Sequence, residues 1–231
     1  MEWSVLSSYG SMLLLGVVTT LKLLIISGVL GFLLAIAVAF ARISQNRLLA
    51  YLSKGFTEVI RGTPLLVQIY VFYYGLGSLF SGWPWLRETF LWPFLRDGFW
   101  YVALALVISV GAYVGEVLRA GLRAVPKGEI EAARAMGMRP RVIVRRVWLP
   151  RAIQILLPTL AGETVMLLKS TALASTVAVM DVLGAANYIR GQTLRTYEPL
   201  LAIAVIYVVL AIVIERAFGY LEHRVPVRSA R

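Results

Sequence analysis

The sequence contains no cysteine and only one histidine among its 231 residues. Without cysteine the chain can form no disulfide bond, and it offers no thiolate as a nucleophile or a metal ligand. The one histidine, His223, lies in a basic C-terminal tail, where a solvated side chain is far more common than a metal ligand. The sequence therefore predicts no metal site.

Charged residues are also scarce. They make up 15% of the chain, against about 25% in typical soluble domains, and hydrophobic residues make up 59%. Several apolar runs approach or exceed the roughly 18–20 residues that cross a bilayer as a helix. This composition predicts an all-α integral membrane protein in which residues 1–231 form a single transmembrane domain.

The chain also lacks a nucleotide-binding loop. The GxxxxGK[ST] phosphate loop places a lysine beside a conserved glycine turn, and none of the four lysines stands in that context. These lysines are Lys22, Lys54, Lys127 and Lys169. We therefore expect that the chain binds no cofactor, is not an enzyme, and leaves any ATP hydrolysis to another subunit.

Five apolar segments predict five transmembrane helices, with bounds that are uncertain by a few residues. They cover about residues 12–40, 55–79, 99–118, 152–179 and 199–218. Most of the connecting segments are short. The long exception, at about residues 119–151, is rich in basic residues.

The position of the basic residues predicts the orientation of the helices. The net charge is +11, and a surplus of this size in a soluble protein would suggest a nucleic-acid partner. Here the connector 119–151 carries nine basic residues against two acidic ones, whereas residues 81–98 carry two of each. The C-terminal tail adds Arg216, Arg224, Arg228 and Arg231. By the positive-inside rule the N-terminus faces outward and the connector and C-terminus are cytoplasmic, so no nucleic acid is needed to explain the charge.

The stretch GEIEAARAMG, residues 128–137, predicts a short helix inside the basic connector. Pro126 suits the first turn, Glu129 and Glu131 favour the positive N-terminal end, and Gly137 is a natural stop. Small side chains dominate its apolar arc, which consists of Ile130, Ala132, Ala133, Ala135 and Met136. Composition alone allows two interpretations: a helix that lies on lipid headgroups, or a docking helix for a cytoplasmic partner.

The spacing of this stretch resembles the EAA loop of ABC importer permeases. That family has EAA, three residues, glycine, nine residues and then I-x-LP. This chain has EAA at 131–133, Gly137 and VWLP at 147–150, with Val147 in place of isoleucine. The resemblance implies that the helix binds in a groove of an ATP-binding subunit, with Glu131 as a polar contact. The docking residues it implies are Glu131, Ala132, Ala133 and Gly137.

The resemblance continues in EVIRGTPLLVQIYVFYYG (58–75), AYVGEVLRAGLRAVPKGEIEAA (112–133) and LLKSTALASTVAVMDVL (167–183). These stretches are similar to the polar amino-acid branch of the family, and GEIEAARA and STALA are similar to its M-type subunits for histidine, lysine, arginine or opines. The resemblance implies the type I permease fold in a bacterial inner membrane. It also implies four kinds of partner: two ATP-binding subunits, a distinct Q-type permease in a heterodimeric pore, a periplasmic solute-binding protein, and an amino acid or opine as the solute. Membrane lipid surrounds such a pore.

Ionisable residues inside the predicted spans are candidates for the solute pathway. Glu163 lies about ten residues, roughly 15 Å, into the fourth span, so it could receive the cationic group of an amino acid. A packing role, with a partner in a neighbouring span, is the alternative. Lys169 lies six residues later, on a different face and nearer the outer side.

The second span contains further candidates. Glu58 and Arg61 are three residues apart at its cytoplasmic start, so we expect a local ion pair, with solute contact by Arg61 as the alternative. The RGTP stretch then interrupts the helix, and broken helices often frame transporter sites, which makes Thr63 and Gln68 candidates. Glu116 and Arg119 are expected to form another local pair at the end of the third span.

Two other functional classes fit the sequence less well. An intramembrane enzyme would need a metal cluster, a paired-aspartate site or a Ser–Lys site, and only the adjacent Lys169 and Ser170 come near this, although adjacent helical residues do not face each other. A proton- or ion-coupled carrier would explain Glu163 but gives the EAA-like loop no purpose.

Overall fold

The computed structural model describes residues 8–224, and every regular element within that range is a helix. Residues 1–7 and 225–231 lie outside the described range, and so do the predicted tail cations Arg228 and Arg231.

Ten helical segments follow one another along the described chain. The long ones are α1 (Gly10–Arg42), α2 (Arg47–Gly62), α3 (Leu65–Ser81), α6 (Gly98–Ala124), α8 (Pro140–Val177) and α10 (Tyr197–Arg224). The short ones are α4 (Pro84–Arg87), α5 (Trp92–Leu95), α7 (Lys127–Ala135) and α9 (Val182–Thr193). Within α8, residues Val144–Trp148 form a π-helical turn and Thr171–Val177 a 3₁₀ turn.

Four of these helices, α1, α6, α8 and α10, are each long and apolar enough to cross a membrane, and the bent pair α2–α3 makes a possible fifth crossing. The predicted all-α membrane fold is therefore confirmed. Helix α6 continues six residues beyond the segment 99–118, to Ala124, and α8 begins at Pro140 rather than near 152.

The second predicted span, 55–79, is interrupted at the RGTP stretch, as predicted, but its start differs from the prediction. It starts at Arg47, because the Asn46 side chain accepts hydrogen bonds from the backbone N–H groups of Leu48 and Leu49. It then bends by 103° between α2 and α3. The bend follows from extended backbone at Thr63 and from Pro64, which has no N–H to continue the helical ladder.

Helix α9 was not predicted, since its residues resembled a connector. It begins after Asp181, whose carboxylate accepts hydrogen bonds from the backbone N–H groups of Leu183 and Gly184. Asp181 is completely buried, and the hydroxyl of Tyr207 on α10 lies 3.4 Å from its Oδ2 atom. The helix therefore forms part of the packed bundle.

Close packing of α1 against α6 forms the centre of the bundle. A Cβ atom at Gly31 would lie 2.6 Å from Val110, and one at Gly111 would lie 2.5 Å from Leu34. Lipid provides no hydrophobic driving force for helix association, so membrane helices depend on close van der Waals packing. Small residues allow this packing because they let two helix backbones approach. By contrast, α10 keeps most of its side chains exposed at the edge.

The bundle has two distinct ends. Arg42 of α1 contacts Glu116 of α6, and Trp148 of α8 contacts Leu122, so residues 42–47 and 119–151 share one end, here termed the basic end. Residues 82–97 and 178–196 lie at the opposite end, here termed the aromatic end.

Candidate functional site

Helix α7 and its C-terminal turn form the first part of the candidate site. The helix begins after Pro126 and ends at Ala135. Gly137 has a φ of +75°. Its N–H donates to the Arg134 carbonyl at 2.9 Å, and the Met138 N–H donates to the Ala133 carbonyl at 3.2 Å. This pair of bonds is a Schellman cap, which requires a left-handed residue at that position. The sequence-based stop at Gly137 matches the observed helix end.

The apolar arc predicted on α7 does not face one partner. Ala133 is 4% exposed and Ile130 is half-buried, and both side chains pack toward the chain's own bundle. The exposed surface is formed by Glu131, Ala132, Arg134, Ala135, Met136 and Gly137. Of the four predicted docking residues, Ala133 is therefore covered by this chain itself, because α7 lies against the ends of α6 and α8.

An ion network joins α1 and α6 at the basic end. Arg119 Nε lies 2.7 Å from Glu116 Oε2, as the sequence predicts, and Arg42 Nε lies 2.6 Å from Glu116 Oε1. The contact with Arg42 could not be predicted, because the two residues are 74 positions apart.

A cavity of about 820 Å³ between α1, α6 and α8 forms the second part of the candidate site. Its walls are mostly aliphatic and aromatic. Glu163 is the only acidic side chain among its described lining residues. The other polar groups on the wall are Ser109, Tyr113, Thr164 and Ser170. The structure thus places Glu163 on the wall of a partly open cavity with room for a small solute, since Ile25, Val29 and Leu33 on the same wall are exposed.

Arg61 lies next to this cavity. Its guanidinium is 5.4 Å from the centre of the Tyr113 ring, and the Tyr113 hydroxyl donates to the Arg61 carbonyl at 3.4 Å. Arg61 is an exposed residue in the last turn of α2, and its guanidinium reaches Tyr113 near the middle of α6.

The predicted pair between Glu58 and Arg61 is wrong. Glu58 instead lies 3.6 Å from Lys54, one turn earlier on α2. This partner is available because α2 begins at Arg47, eight residues before the predicted start. Arg61, at the other end of the helix, extends toward α6.

Thr63 and Gln68 hold the bend between α2 and α3. Gln68 Nε2 donates to the carbonyls of Ile60 and Thr63, at 2.8 and 3.1 Å, and to the Thr63 hydroxyl at 2.9 Å. The Thr63 hydroxyl in turn donates to the Val59 carbonyl at 2.9 Å. Gln68 is buried, and neither side chain lines the described cavity. Their role in the structure is to satisfy the carbonyls that the break leaves without helical donors.

Lys169 does not share the surface of Glu163. Its side chain is exposed in the last turn of the α-helical part of α8, and it is not among the residues that line the cavity. The six-residue separation already predicted a different face. Sequence reasoning missed Tyr113, which no motif marks, and Asp181, for which a helix-start pattern before VLGAANYI was the available signal.

Comparison with known proteins gives a consistent result. Residues 27–227 match the family described as the binding-protein-dependent transport system inner membrane component. The chain is 40% identical over 210 residues to the octopine transport system permease protein OccM of Rhizobium radiobacter, covering 91% of this chain and 84% of that protein. It is 39% identical to the histidine/lysine/arginine/ornithine transport system permease protein HisM of Escherichia coli K12, covering 90% and 87%.

Solved structures have the same fold. A crystal structure of an amino acid ABC transporter with histidines superposes with a TM-score of 0.82 at 32% identity, covering 97% of this chain and 99% of that one. An inward-facing structure of the MetNI methionine ABC transporter superposes with a TM-score of 0.75 at 21% identity, which supports the fold alone.

Proposed function

The chain belongs to the family of binding-protein-dependent transport system inner membrane components, the permease subunits of ABC transporters, and from this we propose that it imports a basic amino acid or an opine. The observation that carries the choice of solute is the cavity whose wall contains Glu163 and Tyr113, with the oppositely charged Arg61 against Tyr113. The names of the relatives OccM and HisM favour the same class of solute.

The chemistry of an amino acid fits these two side chains. Its carboxylate would form paired hydrogen bonds with the planar guanidinium of Arg61, and its cationic group would lie against Glu163. The Tyr113 hydroxyl donates to the Arg61 carbonyl and its ring lies 5.4 Å from the guanidinium, so Tyr113 positions the carboxylate-binding group. Because the remaining wall is largely apolar, an uncompensated charge would bind poorly there, and a solute that carries both signs of charge is favoured.

The energy comes from a partner, since this chain has no phosphate loop. An ATP-binding subunit would bind the exposed surface of α7, where Glu131 offers a carboxylate and Ala132 and Ala135 allow close approach. ATP-driven closure of two such subunits then shifts the permease between inward-open and outward-open states. A second, Q-type permease completes the pore, and a periplasmic solute-binding protein delivers the solute at the aromatic end.

The distribution of basic residues supports the proposed orientation. The basic end, with α7, is cytoplasmic, and the N-terminus is outside a bacterial inner membrane.

The decisive variant for the solute site is Glu163→Gln. Lys169→Gln is the matched control, because Lys169 is on the same helix but away from the cavity. We expect Glu163→Gln to lower ATP-dependent uptake of a basic amino acid by roughly tenfold or more in reconstituted complex, since a charged hydrogen bond is lost. The control retains uptake. If Glu163→Gln transports as well as the unsubstituted complex, the carboxylate does not contact the solute.

A further inference from the structure

Helix α7 needs a rigid connection to the membrane helices if a partner's motion is to reach the cavity. It contains nine residues, about 13 Å, which is too short for a helix to be stable alone in water. Its connections to α6 and α8 are short turns of chain. The contacts that fasten its side chains therefore decide which membrane helix moves with it.

The first contact is an ion pair between α7 and α8. Arg151 Nε lies 3.1 Å from Glu129 Oε1, with Arg151 mostly buried and Glu129 half-buried. Glu129 is in the first turn of α7, and Arg151 is near the start of the regular α-helical part of α8, the helix that carries Glu163. On a helix, Glu129 and Glu131 are about 200° apart, so Glu129 faces the bundle while Glu131 faces outward.

The second contact is made by Trp148 at the π-helical turn of α8. Its indole N–H donates to the Leu122 carbonyl at 2.7 Å. Leu122 is in the last turn of α6, where carbonyls have no donor within the helix, so the indole satisfies one of them. The Trp148 ring also packs edge-on against Phe40 of α1, at 5.9 Å between ring centres. Trp148 thus joins the start of α8 to the ends of two other helices.

From these contacts we propose that the Glu129–Arg151 pair is the strut that makes α8 move with α7, while Trp148 fastens the start of α8 to α6 and α1. The strut passes a displacement of α7 to the helix that lines the cavity. Glu129 and Arg151 are positioning residues, distinct from the outward Glu131 surface that would bind the ATP-binding subunit. The inference rests on the proposed function, because it requires an ATP-driven partner at α7.

The test measures how much solute moves per ATP hydrolysed, in proteoliposomes that contain the complete complex and its binding protein. Glu129→Gln and Arg151→Gln each break the pair, and the double exchange Glu129→Arg with Arg151→Glu restores it with reversed charges. Glu58→Gln is the control, because it removes the exposed pair with Lys54 on α2, away from α7.

We expect both single variants to assemble and hydrolyse ATP, with transport per ATP lowered by about fivefold or more. The exchange should recover most of that loss, and the control should show none. The proposal is overturned if transport per ATP is unchanged in both single variants. It is also overturned if the charge-exchanged double variant transports no more solute per ATP than either single variant. If the unsubstituted complex shows no ATP-dependent uptake, it is the proposed function that fails.

A second measurement does not depend on how well the glutamine variants fold. The chain has no cysteine, so Glu129→Cys and Arg151→Cys place one defined pair of thiols for a short bismaleimide. If residues 129 and 151 stay in contact throughout the transport cycle, the cross-linked complex should still transport. The reference is the unsubstituted complex treated with the same bismaleimide. Transport that stops on cross-linking shows that α7 and α8 must separate, and contradicts the proposal.

Discussion

Gly137 shows how a single residue can set the end of a helix. It ends α7, and the exposed residues within 131–137 form the proposed docking surface for the ATP-binding subunit. The φ of +75° at Gly137 is accessible to glycine at little cost, and no atom lies within 4 Å of where its Cβ would be. Position 137 therefore requires a residue that tolerates a positive φ, and it does not require a small side chain. The Schellman cap it forms ends α7 and directs the chain into α8.

Gly137→Ala should consequently strain the end of α7. We expect a cost of about 1 kcal/mol, the usual penalty of a left-handed conformation for a residue with a Cβ atom. The measurement is ATP-dependent uptake together with the amount of ATP-binding subunit that co-purifies, and both should fall.

Gly128→Ala is the matched control for this change. Gly128 also has open space at its Cβ position, but it is within α7 and has no positive φ, so alanine there should preserve or improve the helix. Equal losses in the two variants would show that added bulk on the docking surface, not the conformation at Gly137, is responsible.

At the scale of elements, the close contact between α1 and α6 constrains the bundle. A Cβ at Gly31 would lie 2.6 Å from both Cβ and Cγ1 of Val110, a β-branched side chain with few alternative rotamers. The two helices cannot separate slightly without loosening the wall of the cavity, to which both contribute.

Gly31→Ala should therefore destabilise the bundle by about 1–3 kcal/mol, the typical cost of overpacking. Thermal unfolding in detergent should show a lower midpoint than for the unsubstituted chain. Gly55→Ala on α2, where nothing lies within 4 Å, is the control and should unfold at the same temperature or higher. A midpoint for Gly31→Ala that matches the control would mean that the helices adjust freely.

The elements also show what sequence could and could not predict. Hydrophobic length predicts the crossing helices, and glycine and proline mark the ends of α7, since both signals are local. The break at RGTP is likewise marked locally, by Pro64. The exposure of one side of α7 and the Arg42–Glu116 contact depend instead on residues distant in sequence. Glu163 could be selected from the sequence because it is a charged residue in an apolar segment. The partner predicted for Arg61 was wrong, and no sequence motif marks Tyr113.

At the scale of the whole molecule, the proposed docking surface on α7 and the cavity lie apart and are connected through α8. The docking surface is at the basic end, and the cavity with Glu163 is farther along the same helix. This arrangement suits a subunit that receives mechanical work at one place and changes access to a solute at another. A proton-coupled carrier would need no exposed EAA-like surface, so the two accounts differ in the energy source they require.

Uptake by proteoliposomes is the measurement that tests this central difference most directly. Labelled basic amino acid is supplied with the solute-binding protein, and the reconstituted complex contains this chain, the second permease and the ATP-binding subunits. The account predicts uptake that requires ATP and the ATP-binding subunits, and that persists when a protonophore removes the proton gradient. Uptake by this chain alone without ATP, or uptake abolished by the protonophore while ATP is present, would contradict it.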